Sequence, residues 1–357
     1  MDKRQAVSLA VGGPYDPPVA VARDRCNRPL PSPVGPSSNA AHTERRLLLV
    51  HAHPDDESIL TGATMARAVA VGAQVTLLTA TRGEAGEVYP PELAHLAGDP
   101  AGLAAVREQE LAQAMTQLGV RDVRFLTPEP EDPVRRWVDS GMAGTRAAPS
   151  PPGQLPFAAA DRRQTAAAVA RVIRELRPDV LISYDEHGGY GHPDHIAAHH
   201  AALGGARLAA DPTVDPGSTD ARAGSHAYQV PRIYEVLSPR SVVLAGLARA
   251  AAAVGQGRAP GLIAHPDPML AAAVDDELVT TAVDGGPWLA RKVAAMRAHA
   301  TQLRVLDLAE GPLFALTNRI ATPVEAVEYY RLIHGRSVTD EGARETDLFA
   351  GLNVGDS

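Results

Sequence analysis

A single cysteine, Cys26, stands in 357 residues, so no intramolecular disulfide framework can hold this chain together. Aromatic residues make up only 4% of it while hydrophobic residues reach 45%, which leaves Ala, Val and Leu to build the core. No apolar run approaches the ~18 residues that a membrane span needs. Lys is rare, Arg is scattered, and the net charge is −8, which argues against a nucleic-acid binder that works through its overall field. The N-terminal stretch MDKRQAVSLAVGGPYDPP breaks off before any apolar signal-peptide core forms. These absences predict a soluble, cytoplasmic protein with neither nucleic acid nor membrane as partner.

Residues 1–42 are rich in Pro, Gly, Ser and Ala, as in RPLPSPVGPSSNAAH, a composition expected of a disordered extension. A single domain is expected over 43–335, with 336–357 as a C-terminal tail. Within the domain, strand-like and helix-like patterns alternate. RRLLLV, QVTLLTAT, VRFL and PDVLISY read as strands. SILTGATMARAVAVG, LAAVREQELAQAMTQLG and DRRQTAAAVARVIRELR read as helices, the last capped by Asp161. This alternation predicts an α/β fold: a Rossmann-like, mostly parallel sheet with helices on both faces. A smaller, irregular C-terminal part follows. It contains a strand at RIYEVL and helices at SVVLAGLARAAAAV, PWLARKVAAMRAHATQL and PVEAVEYYRLIH, with Pro323 at the start of the last. Residues 127–160 form a long loop rich in Pro and Gly, and long loops in compact domains are usually functional.

Two charged clusters interrupt this pattern, each directly after a buried strand. The first is LLLVHAHPDDE, residues 47–57, where Asp55, Asp56 and Glu57 stand side by side and repel one another. The second is YDEHGGYGHPDHIAAHH, residues 184–200, with five histidines and three acids. In parallel sheets, ligands bind beyond the carboxyl ends of the strands. A metal ion there would resolve the repulsion, and His with Asp suits a borderline cation such as zinc. His51, His53, Asp55 and Asp56 from the first cluster and His192, Asp194, His195 and His199 from the second are all candidate ligands. Spacing alone does not choose among them.

HAHPDDE together with GHPDH resembles the signature pair of the LmbE-like, or PIG-L, zinc-dependent N-deacetylases, over roughly residues 45–335. RWVDSGMAGT, GGYGHPDH, KVAAMRAH and EYYRL look like the mycothiol-pathway branch, which deacetylates N-acetylglucosaminyl-inositol. The resemblance implies one Zn2+ per chain, with Fe2+ as an alternative, held by His53, Asp56 and His195. It also implies Asp55 as general base, with Tyr190 and a protonated His192 as donors to the oxyanion. Asp194 would orient a neighbouring histidine, His192 above all. Arg107, Asp139 and Met142 match positions that contact the small-molecule glycoside. His51 and His199 are expected to be structural, Glu57 to orient a ligand histidine or start a helix, and Glu84 and Glu87 to support the loop at 81–87. The rival within this chemistry is an amidase of mycothiol S-conjugates, and DSGMAGT favours the deacetylase. A non-catalytic sugar-binding protein would have lost the base or the oxyanion donors, and Asp55, Tyr190 and His192 are all present.

Overall fold

The computed structural model describes residues 44–129, 135–142, 154–214, 226–264, 272–340 and 342–352. Residues 1–42, expected to be disordered, and much of the long loop at 127–160 lie outside them. So do the Pro/Gly/Ser-rich positions 215–225.

Aliphatic residues buried on both sides make the central strands. β1 (Arg46–His51) pairs in parallel with β2 (Gln74–Thr79) on one side and with β6 (Val180–Tyr184) on the other. β3 (Asp122–Phe125) extends the sheet beyond β2, and β7 (Arg232–Pro239) extends it beyond β6, all in parallel; β4 (Trp137–Val138) and β5 (Leu155–Pro156) pair with each other, and β8 (Ala273–Val274) pairs with the end of β7. The chain thus winds outward from β1 through β2 to β3, then returns to the other side of β1. The gap between β1 and β6 is therefore the topological switch point, where sheets of this kind bind ligands.

The helices cover both faces. α2 (Gly62–Ala70) and α3 (Pro100–Leu118) pack on Leu47, Leu49, Leu77 and Ile182 through Met65, Leu111, Met115 and Leu118. Leu48, Val50 and Leu181 alternate to the opposite face and are equally buried. That face carries α4 (Arg162–Leu176) and α6 (Pro193–Ala210). A Cβ placed on Gly205 of α6 would lie 2.6 Å from Val169 Cβ of α4. Small residues thus let helices approach closely in a chain with few aromatics. The sheet and both layers agree with the expected Rossmann-like α/β architecture.

The helix predicted over 58–72 is two helices, α1 (Asp56–Leu60) and α2, broken at Thr61 (φ −135°). The C-terminal third departs further. PVEAVEYYRLIH is not helical: Thr322–Pro323 forms β12, and β13 (Val327–His334) pairs antiparallel with both β7 and β9 (Thr281–Asp284). β-branched and aromatic side chains suit a strand with two partners, and fully buried Tyr330 hydrogen-bonds Thr64 at 2.7 Å. α7 (Arg240–Gly255) forms as expected, whereas α8 (Leu289–Ala298) stops short of His299. Two short strands, β10 (Arg304–Leu306) and β11 (Leu313–Ala315), complete a small sheet with β12. Among the described residues after 335, set apart as a tail by the sequence reading, several join the core. Leu348 and Phe349 are buried in the main cluster, and Glu345 pairs with buried Arg232. That pair needs both partners, because a buried charge left alone is strongly destabilising. No helix among the described residues is long and apolar enough to cross a membrane.

Candidate active site

β1 and β6 are neighbours, so the two charged clusters that follow them meet at the carboxyl edge of the sheet. From β1 come His53, Asp55 and Asp56. From β6 come Tyr184, the short α5 (Gly188–Gly191) and the first turn of α6, with His192, Asp194 and His195.

His195 is buried, and its Nδ1 lies 3.2 Å from the carbonyl of Gly188. Gly188 has to be glycine: its φ is +64°, and a Cβ there would sit 2.8 Å from His195 Cβ. With Nδ1–H donated to that carbonyl, Nε2 of His195 carries a lone pair. It is buried without a hydrogen-bond partner and faces Asp56 Oδ1 at 3.3 Å. Asp56 Oδ2 accepts the Tyr184 hydroxyl at 2.6 Å and the His53 amide at 2.9 Å. His53 Nδ1 lies 3.3 Å from the same carboxylate. A lone pair aimed at a carboxylate oxygen, with no proton donor between them, is the arrangement a divalent cation satisfies. His53, Asp56 and His195 therefore fit a metal.

Two other groupings share the space. Ring nitrogens of His53, His192 and His195 lie within 4.8 Å of one another, as do donor atoms of His53, Asp139 and Asp194. Their hydrogen bonds set these additional residues in supporting positions. His192 caps α6 by accepting the Asp194 amide on Nδ1 at 3.1 Å, which leaves a proton on Nε2. Asp194 accepts Ser140 N at 2.8 Å, Ser140 Oγ at 2.5 Å and Ala158 N at 2.9 Å. Its Oδ2 also lies 3.2 Å from His53 Nε2, and Asp139 Oδ1 lies 3.5 Å from the same nitrogen. The Asp194 carboxylate thus addresses His53, and only its backbone amide addresses His192. Carboxylates behind a histidine fix its tautomer and make it a stronger ligand.

The two adjacent acids have opposite electrostatics. Burial disfavours charge on Asp56, but His195 and His53 beside it hold its carboxyl well below the usual range. Burial pushes Asp55 up to about 8, and the charge on Asp56 adds to the effect. One is a permanent anion, and the other can exchange a proton near neutrality. Burial also drives His192 down to about 4, with His53 and His195 adding to it. This disfavours the protonated His192 expected by resemblance, while the amide on Nδ1 leaves Nε2–H as the donor in the neutral ring.

A family model described as PIG-L, GlcNAc-PI de-N-acetylase, matches residues 48–204. A 1D-myo-inositol 2-acetamido-2-deoxy-α-D-glucopyranoside deacetylase of Streptomyces scabiei (strain 87.22) is 47% identical over 324 residues, covering 90% of this chain and 93% of the relative. The chain belongs to the PIG-L family. The same-named protein of Geodermatophilus obscurus is 49% identical over 309 residues, covering 86% of this chain and 98% of its own. Among solved structures, the 4-carboxy-2-hydroxymuconate hydratase GalB of Pseudomonas putida KT2440 superposes with a TM-score of 0.50. It is 17% identical and covers 83% of this chain and 99% of its own, a likeness of fold alone.

The remaining expected residues surround this PIG-L site. Tyr190 stands half-exposed at the rim, its ring edge-on to His195 at 5.1 Å. Met142 is exposed on the segment that also carries buried Asp139. Arg107 is buried on α3 and donates to the carbonyls of Gly83 and Glu87, clasping the loop after β2. Its guanidinium lies within electrostatic reach of Asp55 and Asp139, and its Nε is buried without a partner. Glu84 accepts the Asp139 amide at 3.2 Å and so ties that loop to the one carrying Asp139. His51 lies 2.9 Å from Thr61 Oγ1 and 3.3 Å from the Tyr184 hydroxyl, while His199 meets the Tyr184 carbonyl at 2.9 Å. Both are buried.

Sequence reasoning missed Tyr184 and His299. Tyr184 bonds Asp56 and also stacks on His195, with centroids 4.2 Å apart and 16° between planes, so it orients two candidate ligands at once. Its signal was present: a tyrosine ends the buried strand VLISY at the switch point. His299 pairs with Glu57, which was expected to orient a ligand histidine or to start a helix and which stands in the first turn of α1. No local pattern joins residues 242 positions apart.

Proposed function

We propose that this PIG-L protein hydrolyses the N-acetyl group of 1D-myo-inositol 2-acetamido-2-deoxy-α-D-glucopyranoside, releasing acetate and the free amine in mycothiol biosynthesis. The observation that carries the reaction type is the unpartnered Nε2 of buried His195, which faces Asp56 Oδ1 at 3.3 Å with Asp55 next to it in the chain. The substrate rests on relatives of that name matched over about nine-tenths of the chain.

In this reading His53, Asp56 and His195 hold one divalent cation, and zinc suits the two imidazoles and the carboxylate. When bound, the cation polarises the acetyl carbonyl and lowers the pKa of water. Asp55 accepts the proton of the attacking water. As the carbonyl becomes tetrahedral, its oxygen gains charge, and His192 Nε2–H and the Tyr190 hydroxyl are the donors that can meet it. The C–N bond then breaks only if the nitrogen is protonated, since an amide anion is a very poor leaving group. Asp55, now protonated, returns the proton. His53 is held for its part by Asp194 and Asp139. Asp139, Arg107 and Met142 face the glycoside in this reading, with Asp139 and Arg107 addressing hydroxyls and Met142 lining an apolar wall. The reaction is placed in the cytoplasm.

The test offers metal-loaded protein the inositol glycoside, free N-acetylglucosamine and a mycothiol S-conjugate, and measures amine release from each. The inositol glycoside should be turned over fastest. Preference for the conjugate would reassign the protein as an amidase, and release from none would reject the reaction.

A further inference from the structure

Glu57 and His299 form a pair with no exposed surface, and nothing in the reaction above uses it. His299 Nε2 lies 2.8 Å from Glu57 Oε1, which also accepts the Ser58 hydroxyl at 2.6 Å. The other oxygen, Oε2, accepts the backbone N–H of Asp55 at 2.9 Å. Gln302, one turn beyond His299, donates from Nε2 to the Pro54 carbonyl at 2.5 Å. The end of α8 therefore reaches the Pro54–Asp55 dipeptide at two points, once through Glu57 and once directly.

That gripping segment is itself anchored. The amides of Gln302 and Leu303 both donate to the His299 carbonyl, at 3.0 and 3.1 Å. Thr301 donates to Glu110 on α3 from its amide at 2.7 Å and from its hydroxyl at 2.6 Å. The residue it grips is strained: Asp55 has φ 116° and ψ −35°, a region that non-glycine residues avoid. Such a conformation persists only where the surroundings over-determine it, and it concentrates at functional sites. The metal-binding residue next to it is held by other means, through Tyr184 and the His53 amide.

We infer that His299, acting through Glu57 and seconded by Gln302, is a positioning residue that holds Asp55 in its strained conformation and so aims the base. This rests on the reading of Asp55 as the base. His299 touches neither substrate nor metal ligand, so its loss should slow turnover and leave the metal in place.

The experiment compares metal-loaded His299→Leu, His299→Gln, Glu57→Ala, the His299→Leu/Glu57→Ala double variant and Gln302→Ala, with Asp55→Asn as control. His299→Leu should lower kcat by ~10–100-fold, the scale seen when a supporting partner is lost. KM and metal stoichiometry should hold, and the Asp55 amide should exchange with solvent faster. Glutamine can still donate to Glu57 Oε1, so His299→Gln should recover most of the rate. The double variant should be no worse than the poorer single one, because the two act as a unit. Additive losses, metal loss from His299→Leu or an unchanged kcat would each overturn the inference. If His299→Leu does not fold, Gln302→Ala decides: slower turnover with faster Asp55 amide exchange supports the clamp, and wild-type behaviour rejects it. An active Asp55→Asn would instead sink the assignment of the base, whatever the clamp variants do.

Discussion

The two charged clusters look alike in sequence but are held in different ways. The two site histidines of the cluster after β6 are supported from nearby, while its Asp194 accepts from Ser140 and Ala158. His195 leans on the carbonyl of Gly188, and His192 accepts an amide two residues on. The cluster after β1 is supported from afar. Asp56 is tied to Tyr184 on the next strand, His53 to Asp139 and Asp194, and the Asp55 turn to His299 and Gln302. Local backbone suffices where a ring has only to face inward. Long-range packing is used where two neighbouring carboxylates must do different jobs, since their own short segment cannot impose two conformations on identical side chains.

If each cluster contributes one imidazole to the cation, the largest effect comes from removing either. His53→Ala and His195→Ala should both lose stoichiometric metal and activity together, read by metal analysis of purified protein. Full metal content in His195→Ala would mean that the second cluster holds no ligand.

The next effect divides the first cluster internally. Asp55→Asn should keep its metal and lose kcat by ~10²–10⁴, the usual scale for a missing general base. Asp56→Ala should lose metal first, and the reverse pattern would exchange the two roles. The pH dependence sharpens this. Asp55 works as the carboxylate, so kcat should rise with pH through its ionisation. That midpoint should lie below the value of about 8 that burial and Asp56 impose, because a nearby dication favours the charged form. His192, pushed down to about 4, should add no limb between pH 5 and 8. An ascending limb that survives in Asp55→Asn would contradict the assignment.

The bridge between the clusters should give a smaller change. Tyr184→Phe keeps the stack on His195 and deletes the hydrogen bond to Asp56, so metal affinity should fall by ~10–100-fold in a chelator competition. An unchanged affinity would mean that the His53 amide alone orients Asp56. The smallest effect is expected outside both clusters. A chain starting at Thr43 should keep its turnover, because residues 1–42 carry a composition unable to build a packed core. A large fall in kcat would show that this segment reaches the site.

The alternation of strands and helices was legible as far as β6 because parallel strands buried on both faces are continuous aliphatic runs. The C-terminal third was misread where local pattern and pairing conflict. VEYYRLIH scans as a helix, but in the fold it lies between β7 and β9 and takes the conformation its two partners impose. The segment after 335 reads as polar and tail-like. Contacts across the fold, such as the Arg232–Glu345 pair and the burial of Leu348 and Phe349, make its described residues part of the core.

By itself the sequence determined that two His/Asp clusters sit at strand ends, that those strands run parallel, and that the family motif is complete. These follow from short-range chemistry: hydrophobic runs, turn residues and adjacent charges. The tertiary structure decided which ring nitrogens of His192 and His195 meet a backbone partner and gave the two neighbouring aspartates opposite surroundings. It also decided that Tyr184 and His299 belong to the site. Tautomer, pKa and backbone strain are set by whatever packs within a few ångströms, and here those neighbours come from positions as far apart as 57 and 299.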